Sequence, residues 1–305
     1  MADITKFQTL ERFAGIVNVD PANRLNPLVL VNNYVRDYTY PLQQAVNVDI
    51  DNTFGISSRP GYAPVLTGTG IHSLWSDNVN CLFVDNDILK RLFADWTALS
   101  LRSGLTNESR MSYAPWNDRI YYTNGYEIGY VKVNTSYDLV DPVREFKAPL
   151  PPGKFIAYYR ARLYVARDKI LYISDPLSDY YDIRNGYKLF SGEISMVRPV
   201  DDGIYVADEK VYWLKGAAPD DFERGEAYPY RPIPYTDLQV NGQSVGEGVR
   251  GNVAMWTGEN GICMGDNAGA VVNITEGRYT FTKSGQGTGF IRDENNVRHY
   301  VNSLY

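Results

Sequence analysis

A short apolar and aromatic run recurs along the chain. It reads Leu82-Phe83-Val84, Ile120-Tyr121-Tyr122, Leu163-Tyr164-Val165, Ile204-Tyr205-Val206, Ala254-Met255-Trp256 and His299-Tyr300-Val301, at steps of 38, 43, 41, 50 and 45 residues. A polar turn precedes each copy, as at Ser76-Asp77-Asn78, Trp116-Asn117-Asp118 and Val200-Asp201-Asp202. Before the turn lies another strand-like run, such as Ile71-His72-Ser73-Leu74-Trp75 or Phe155-Ile156-Ala157-Tyr158. After the motif come a second turn and a third run, as in Asp168-Lys169-Ile170-Leu171-Tyr172-Ile173. Strand, turn, strand, turn, strand at this period describes the four-stranded blade of a β-propeller. A helical repeat would instead place apolar residues at i, i+3, i+4 and i+7. Only residues 87–96 challenge this, with a helical stripe through Ile88, Leu92 and Trp96. Their alignment with third strands elsewhere predicts a strand.

The predicted fold is therefore all-β: a β-propeller over residues 43–305, behind a non-repeating N-terminal arm over 1–42. Residues 69–284 hold five units, and the remainder holds two strands near Gly289–Arg292 and Val297–Leu304. Six blades fit best, five or seven being the alternatives, and a sixth needs strands from elsewhere to cover its edge. Segments 45–50 and 62–66 are placed to supply them, which makes 43–68 the closing strands and 69–305 the blades. In the arm, Phe7, Leu10, Phe13 and Ile16 suggest a brief amphipathic helix or an irregular segment. Residues 217–234, with prolines at 219, 229, 232 and 234, read as a long surface loop.

Composition adds limits. There are 25 Tyr, 11 Phe and 5 Trp among 305 residues, a load that suits pleated sheets. Acids outnumber bases 36 to 30, so the bulk composition lacks the basic surface of a general nucleic-acid binder. Cys81 and Cys263 lie far apart in apolar runs and read as free buried thiols. With only His72 and His299 besides, a zinc site is not expected. No apolar stretch approaches the ~20 residues of a membrane-spanning helix, and no secretory signal is seen at Met1–Lys6, so synthesis in a cytoplasm is expected.

No convincing catalytic constellation emerges, and neither enzymatic activity, cofactor nor metal is expected. Gly242-Gln243-Ser244-Val245-Gly246 matches the nucleophile-elbow pattern, but Gly246, Gly248 and Gly251 leave no good helix after it, and Asn241-Gly242 signals a hairpin. Asn47, Asp49 and Asp51 alternate like calcium ligands, yet Phe54 stands where a calcium loop needs glycine. Asp85, Asp118, Asp201 and Glu209 are the carboxylates a propeller glycosidase would use, without a distinctive pattern. Tyr158-Tyr159-Arg160-Ala161-Arg162 interleaves aromatics with bases, and reads as sheet packing.

One stretch carries more. Residues 43–62, QQAVNVDIDNTFGISSRPGY, resemble the opening of the tail hub and nozzle proteins of short-tailed bacteriophages, also called packaged-DNA stabilisation proteins. Residues 70–75, 82–84 and 88–89 are similar to the first blade that follows in that family. The resemblance covers about residues 43–100 at motif level. It implies a structural virion protein: a ring of copies, a homohexamer, that contacts neighbouring tail and adaptor proteins, retains packaged DNA and forms part of its exit channel, with only transient DNA contact. The arm and residues 217–234 are the expected ring contacts. The rival readings are a glycan- or receptor-binding propeller and a propeller glycosidase.

Overall fold

The computed structural model describes residues 63–305 apart from 217, 246–247, 282–283 and 295–296, together with 13–16, 19, 28–32, 35–42, 44, 46, 48–50 and 56–58. Ahead of the repeats, β1 (Phe13–Ile16), β2 (Leu28–Asn32) and β3 (Val35–Leu42) form a sheet in the order β1-β3-β2, and β4 (Val48–Ile50) pairs with β5 (Ile56–Ser58). Five four-stranded sheets follow. The first holds β6 (Ile71–Ser76), β7 (Cys81–Asp85), β8 (Ile88–Leu92) and β9 (Ala98–Arg102). The second holds β10 (Ser112–Trp116), β11 (Arg119–Thr123), β12 (Ile128–Lys132) and β13 (Thr135–Asp138). After β14 (Lys147–Pro149), the third holds β15 (Phe155–Tyr159), β16 (Arg162–Arg167) and β17 (Ile170–Ile173); β18 (Tyr180–Asp182) pairs back on β14 before β19 (Tyr187–Leu189) takes the outer place. The fourth holds β20 (Met196–Pro199), β21 (Gly203–Ala207), β22 (Val211–Lys215) and β23 (Glu223–Tyr228). The fifth holds β24 (Leu238–Asn241), β25 (Asn252–Gly258), β26 (Gly261–Gly265) and β27 (Val271–Asn273). A two-stranded unit, β28 (Gly287–Glu294) with β29 (Val297–Leu304), ends the chain.

Every four-stranded sheet is antiparallel, and the inner strands β10, β15, β20 and β24 lie successively against one another. This is the arrangement of a β-propeller. The recurrent sequence motif is the second strand of each sheet. Its first five copies are at most 7% exposed, because both faces of that strand are covered by neighbouring sheets. The core is thus a series of inter-sheet layers. Leu82, Val84 and Leu89 meet Ile120, Tyr122 and Val131. Tyr121 and Ala114 meet Ile156, Leu163 and Val165. Tyr164 and Leu171 meet Ile204 and Val206. Tyr205 and Trp213 meet Ala254 and Trp256. Ile291 and Tyr300 of the last unit close the series on Val240, Val253 and Met255.

Several turns follow from residue chemistry. Asn117-Asp118 joins β10 to β11 with both φ angles positive (51° and 59°), the two-residue hairpin geometry that matches strand twist. Arg160-Ala161 makes the same turn at φ 44° and 63°, without the residues that favour it.

One expectation holds and others change. Residues 88–92 are strand β8, and the turn Ala94–Trp96 with Trp96 at φ 66° ends any helical continuation. Residues 217–234 are not one loop: a 3-10 turn at Pro219–Asp221 leads into β23, the outer strand of the fourth sheet. Its Glu-Arg-Gly-Glu start is exposed, so it never shows apolar alternation. In the arm, Phe13–Ile16 is a strand parallel to β3 rather than helix; Phe7 and Leu10 lie outside the described residues. Of the closing strands, Val48–Ile50 is a strand, but its described partner is Ile56–Ser58, and residues 63–66 form no strand. Cys263 is buried and Cys81 half-buried, both free.

Candidate functional site

A cavity of about 1000 Å³ lies between the inner strands of the first and last units. Ile71, Leu74 and Trp75 form one wall, and Phe290, Ile291 and Tyr305 the other. Its apolar lining is open to solvent: Leu74 is 70% exposed and Phe290 53%. Leu74 reaches it because β6 carries a bulge between His72 and Trp75, with Ser73 at φ 56°. One extra residue there redirects the following side chain. The bulge is anchored where the Met111 amide donates to Ser73 Oγ at 2.8 Å.

The last unit is fixed to its two neighbours unequally. On the fifth sheet, Tyr300 donates its hydroxyl to the Thr236 carbonyl at 2.7 Å and sits 2.9 Å from Thr257 Oγ1, which also accepts from Asn302 Nδ2 at 2.9 Å. Burial pushes the Tyr300 hydroxyl up to about 12. The approach is close enough that a Cβ on Gly289 would strike the Thr236 carbonyl and the Tyr300 ring. On the other side Arg110, in the connection between β9 and β10, is a bridge. Its guanidinium donates to the Gly287 carbonyl and, at 2.6 Å, to the Tyr305 hydroxyl, and lies 4.7 Å from the Tyr235 ring centroid. Sequence reasoning missed Arg110, Tyr235 and Tyr305, since nothing local marks pairings between positions so far apart in the chain, up to 195 residues.

His72, Ser73 and the four acids singled out in the sequence are engaged in holding the frame. In the cavity wall, His72 Nδ1 lies 2.7 Å from Ser73 Oγ, while Nε2 faces the Asn86 carbonyl at 3.4 Å. The Asn86 carbonyl can only accept, so the ring proton sits on Nε2, Nδ1 accepts from the Ser73 hydroxyl, and it is a carbonyl rather than a carboxylate that faces the far side of the ring. Such a pair pins a bulge and lacks the third group a serine nucleophile needs. Asp85 holds Lys90 at 2.7 Å; that contact outweighs its desolvation and keeps its carboxyl below the ordinary range. Asp118 pairs with Lys132 at 3.0 Å and Glu209 with Arg231 at 3.2 Å. Asp201 accepts from the Asn252 amide at 2.9 Å and its side chain at 2.7 Å, joining the fourth sheet to the fifth. The four acids thus serve separate turns.

Ser244 ends a single 3-10 turn, Gly242–Ser244, capped by Asn241, inside the connection between β24 and β25; no elbow forms. Asp49 lies on β4, whereas Asn47 and Asp51 are outside the described residues. Among the described residues no cluster of three His, Cys, Asp or Glu is placed to hold a metal. The Tyr158–Arg162 stretch is a hairpin corner: Tyr158 stacks on Trp116 at 5.5 Å, and Arg160 lies over Tyr159 at 5.3 Å.

No family model matches this chain, and a comparison with curated proteins found no match. Solved structures similar to it include WD40 domains. The WD40 β-propeller domain of Doa1 has a TM-score of 0.46 and 12% identity over 70% of each chain. PorZ of Porphyromonas gingivalis gives 0.48 and 12%, covering 96% of this chain and 36% of that one. A gluconolactonase of Xanthomonas campestris gives 0.43 and 10% over 72% and 78%. This chain therefore spans about a third of PorZ.

Proposed function

We propose that this chain is a structural propeller module of a bacteriophage tail, made in the host cytoplasm and built into the virion as one copy of a ring, of six copies by the family resemblance. In that role it contacts itself and neighbouring tail or adaptor proteins, and lines part of the DNA exit channel. One observation carries the non-catalytic part: Asp85, Asp118, Asp201, Glu209 and Ser73 are each committed to a turn, bulge or inter-sheet bond rather than to a shared pocket. The resemblance of residues 43–62, directly ahead of the first sheet, supports the tail role. Net charge −6 suits a conduit, since an acidic wall repels passing DNA.

The test is the mass of the purified chain by light scattering after size exclusion, with capture by purified tail proteins. A closed multimer that releases DNA at low salt is expected. A monomer that cleaves polysaccharide, or rings that retain DNA at low salt, overturns the reading. A glycan- or receptor-binding module is the second reading, favoured by the open apolar cavity between Leu74 and Phe290. Saturable binding of a polysaccharide, lost in Phe290→Ser, would establish it instead.

A further inference from the structure

The outer strand of the first sheet, β9, is an undefended edge. Sheets guard their outer strands with shortness, charge, proline or a bulge. β19 and β27 have three residues each, β13 has four and ends in Asp138, and β23 begins Glu-Arg-Gly-Glu. β9 is Ala98-Leu99-Ser100-Leu101-Arg102, uncharged up to its last residue. The bulge in its pairing with β8 falls at Leu101 and leaves residues 97–100 regular. Phe93 through Ser100 is an unbroken exposed run, with Trp96 56% and Leu99 37% exposed. Trp96 donates its amide to the Phe93 carbonyl at 3.0 Å and holds the turn position of positive φ, 66°, that ordinarily takes glycine. Keeping a bulky residue there strains the backbone and displays an indole to solvent.

The backbone of this edge fits its own image. The Phe93 amide donates to the Thr97 carbonyl at 2.9 Å, so Thr97 faces β8. By antiparallel alternation Leu99, opposite Arg91, faces β8 as well, and the amides and carbonyls of Ala98 and Ser100 point outward. A two-fold axis at Leu99 sets Ala98 of each copy against Ser100 of the other, each such pair exchanging both hydrogen bonds. Leu99 then meets its own counterpart at the closer, non-hydrogen-bonded position between them. Leu101, on the same face of the strand, already packs on the layer formed by Leu82, Val84 and Ile120, so the Leu99 pair extends that layer across the axis. The ends agree in charge. The same register brings Asp95 and Trp96 of one copy level with Ser103 and Arg102 of the other, a carboxylate and an indole beside a guanidinium. A parallel neighbour would put like ends together.

We infer that β9 is a two-fold contact at which a second copy of this chain pairs antiparallel about Leu99, joining two four-stranded sheets edge to edge. The inference does not depend on the tail reading. Whatever assembly other surfaces build, this contact doubles it.

Light scattering after size exclusion and native mass spectrometry on the full chain test it, with Leu99→Lys and Leu99→Glu. Each variant sets like charges directly opposite one another across the axis, so each alone is expected at half the mass of the natural chain. Mixing the two is expected to restore the natural mass, with one copy of each variant in every pair. Ser100→Pro removes an outward amide and no bond to β8, and is expected to halve the mass too. Hydrogen exchange at Leu82–Val84 is expected to be the same in all of these proteins, which shows the first sheet intact. A natural chain that stays single at micromolar concentration, variants that keep the natural mass, or a mixture that stays at half of it overturns the inference. So does protection of the Ala98 and Ser100 amides that arises only when a different protein is added, because a strand of that protein would then be the occupant.

Discussion

Replacing Arg110 with alanine removes a side chain that ties the last unit to the connection between β9 and β10. The residue donates to the Gly287 carbonyl and the Tyr305 hydroxyl and covers the Tyr235 ring. A partly buried bond from a charged donor to a carbonyl contributes about 1 kcal/mol, the exposed bond to Tyr305 about half that, and the cation–π contact about 0.5 kcal/mol. The loss of about 2 kcal/mol raises the opening constant of the last unit ~30-fold. The effect is local, because the hairpin keeps its contacts to Thr236 and Thr257 and the other inter-sheet layers are untouched. Native-state hydrogen exchange should therefore show amides of 287–304 exchanging ~30-fold faster, with Leu82–Val84 unchanged and Arg110→Lys intermediate. No change in the hairpin would mean that Arg110 does not hold it. A uniform rise across all sheets would mean that the last unit is no separate opening unit, and either result refutes the reasoning.

Alkaline stability should fall between about pH 10 and 12. Burial raises the hydroxyls of Tyr300 and Tyr235 to about 12, above their unfolded value near 10, so the stability they contribute is complete below pH 10 and lost as pH rises through 12. Each contributes about 2 kcal/mol after allowance for partial exposure, and Tyr300→Phe should flatten that limb of a urea-midpoint profile against pH. Val133 turns β12 into β13 at φ 54° with its side chain 71% exposed, a strained position for a β-branched residue, so Val133→Gly should stabilise the chain by about 0.5–1 kcal/mol in chemical denaturation. Asp208 is fully buried and accepts from the Ser191 hydroxyl at 2.7 Å and amide at 3.1 Å and from the Gly192 amide at 3.0 Å. Asp208→Ala strands those donors, costs about 3 kcal/mol, and should lower the calorimetric midpoint by ~5 °C.

The second strands were the legible part of the fold. They are covered on both faces, so they appear as unbroken apolar runs that repeat with the sheets, and the turn residues before them mark the hairpins. Outer strands were not legible: β23 begins Glu-Arg-Gly-Glu because its exposed position exerts little selection for apolar side chains. The sixth copy of the motif already looked different, with His299 in place of an aliphatic residue, and the structure supplies the reason. Its strand is half-buried, in a unit that has two strands among the described residues. The cavity was hidden for another reason. It depends on a bulge at Ser73 and on the distance between chain segments more than 200 positions apart, neither of which leaves a local pattern. The acids at the turns were visible as acids, and only their partners showed that they brace the frame.

Electron cryomicroscopy of the purified full chain addresses the central claim most directly. The account predicts sheets arranged around an axis, the 287–304 hairpin seated between the fifth and first sheets with Arg110 touching Gly287 and Tyr305, and several such molecules joined in one ring. An open row of five sheets with the hairpin detached from the first, or isolated single copies gripping a sugar, would contradict it.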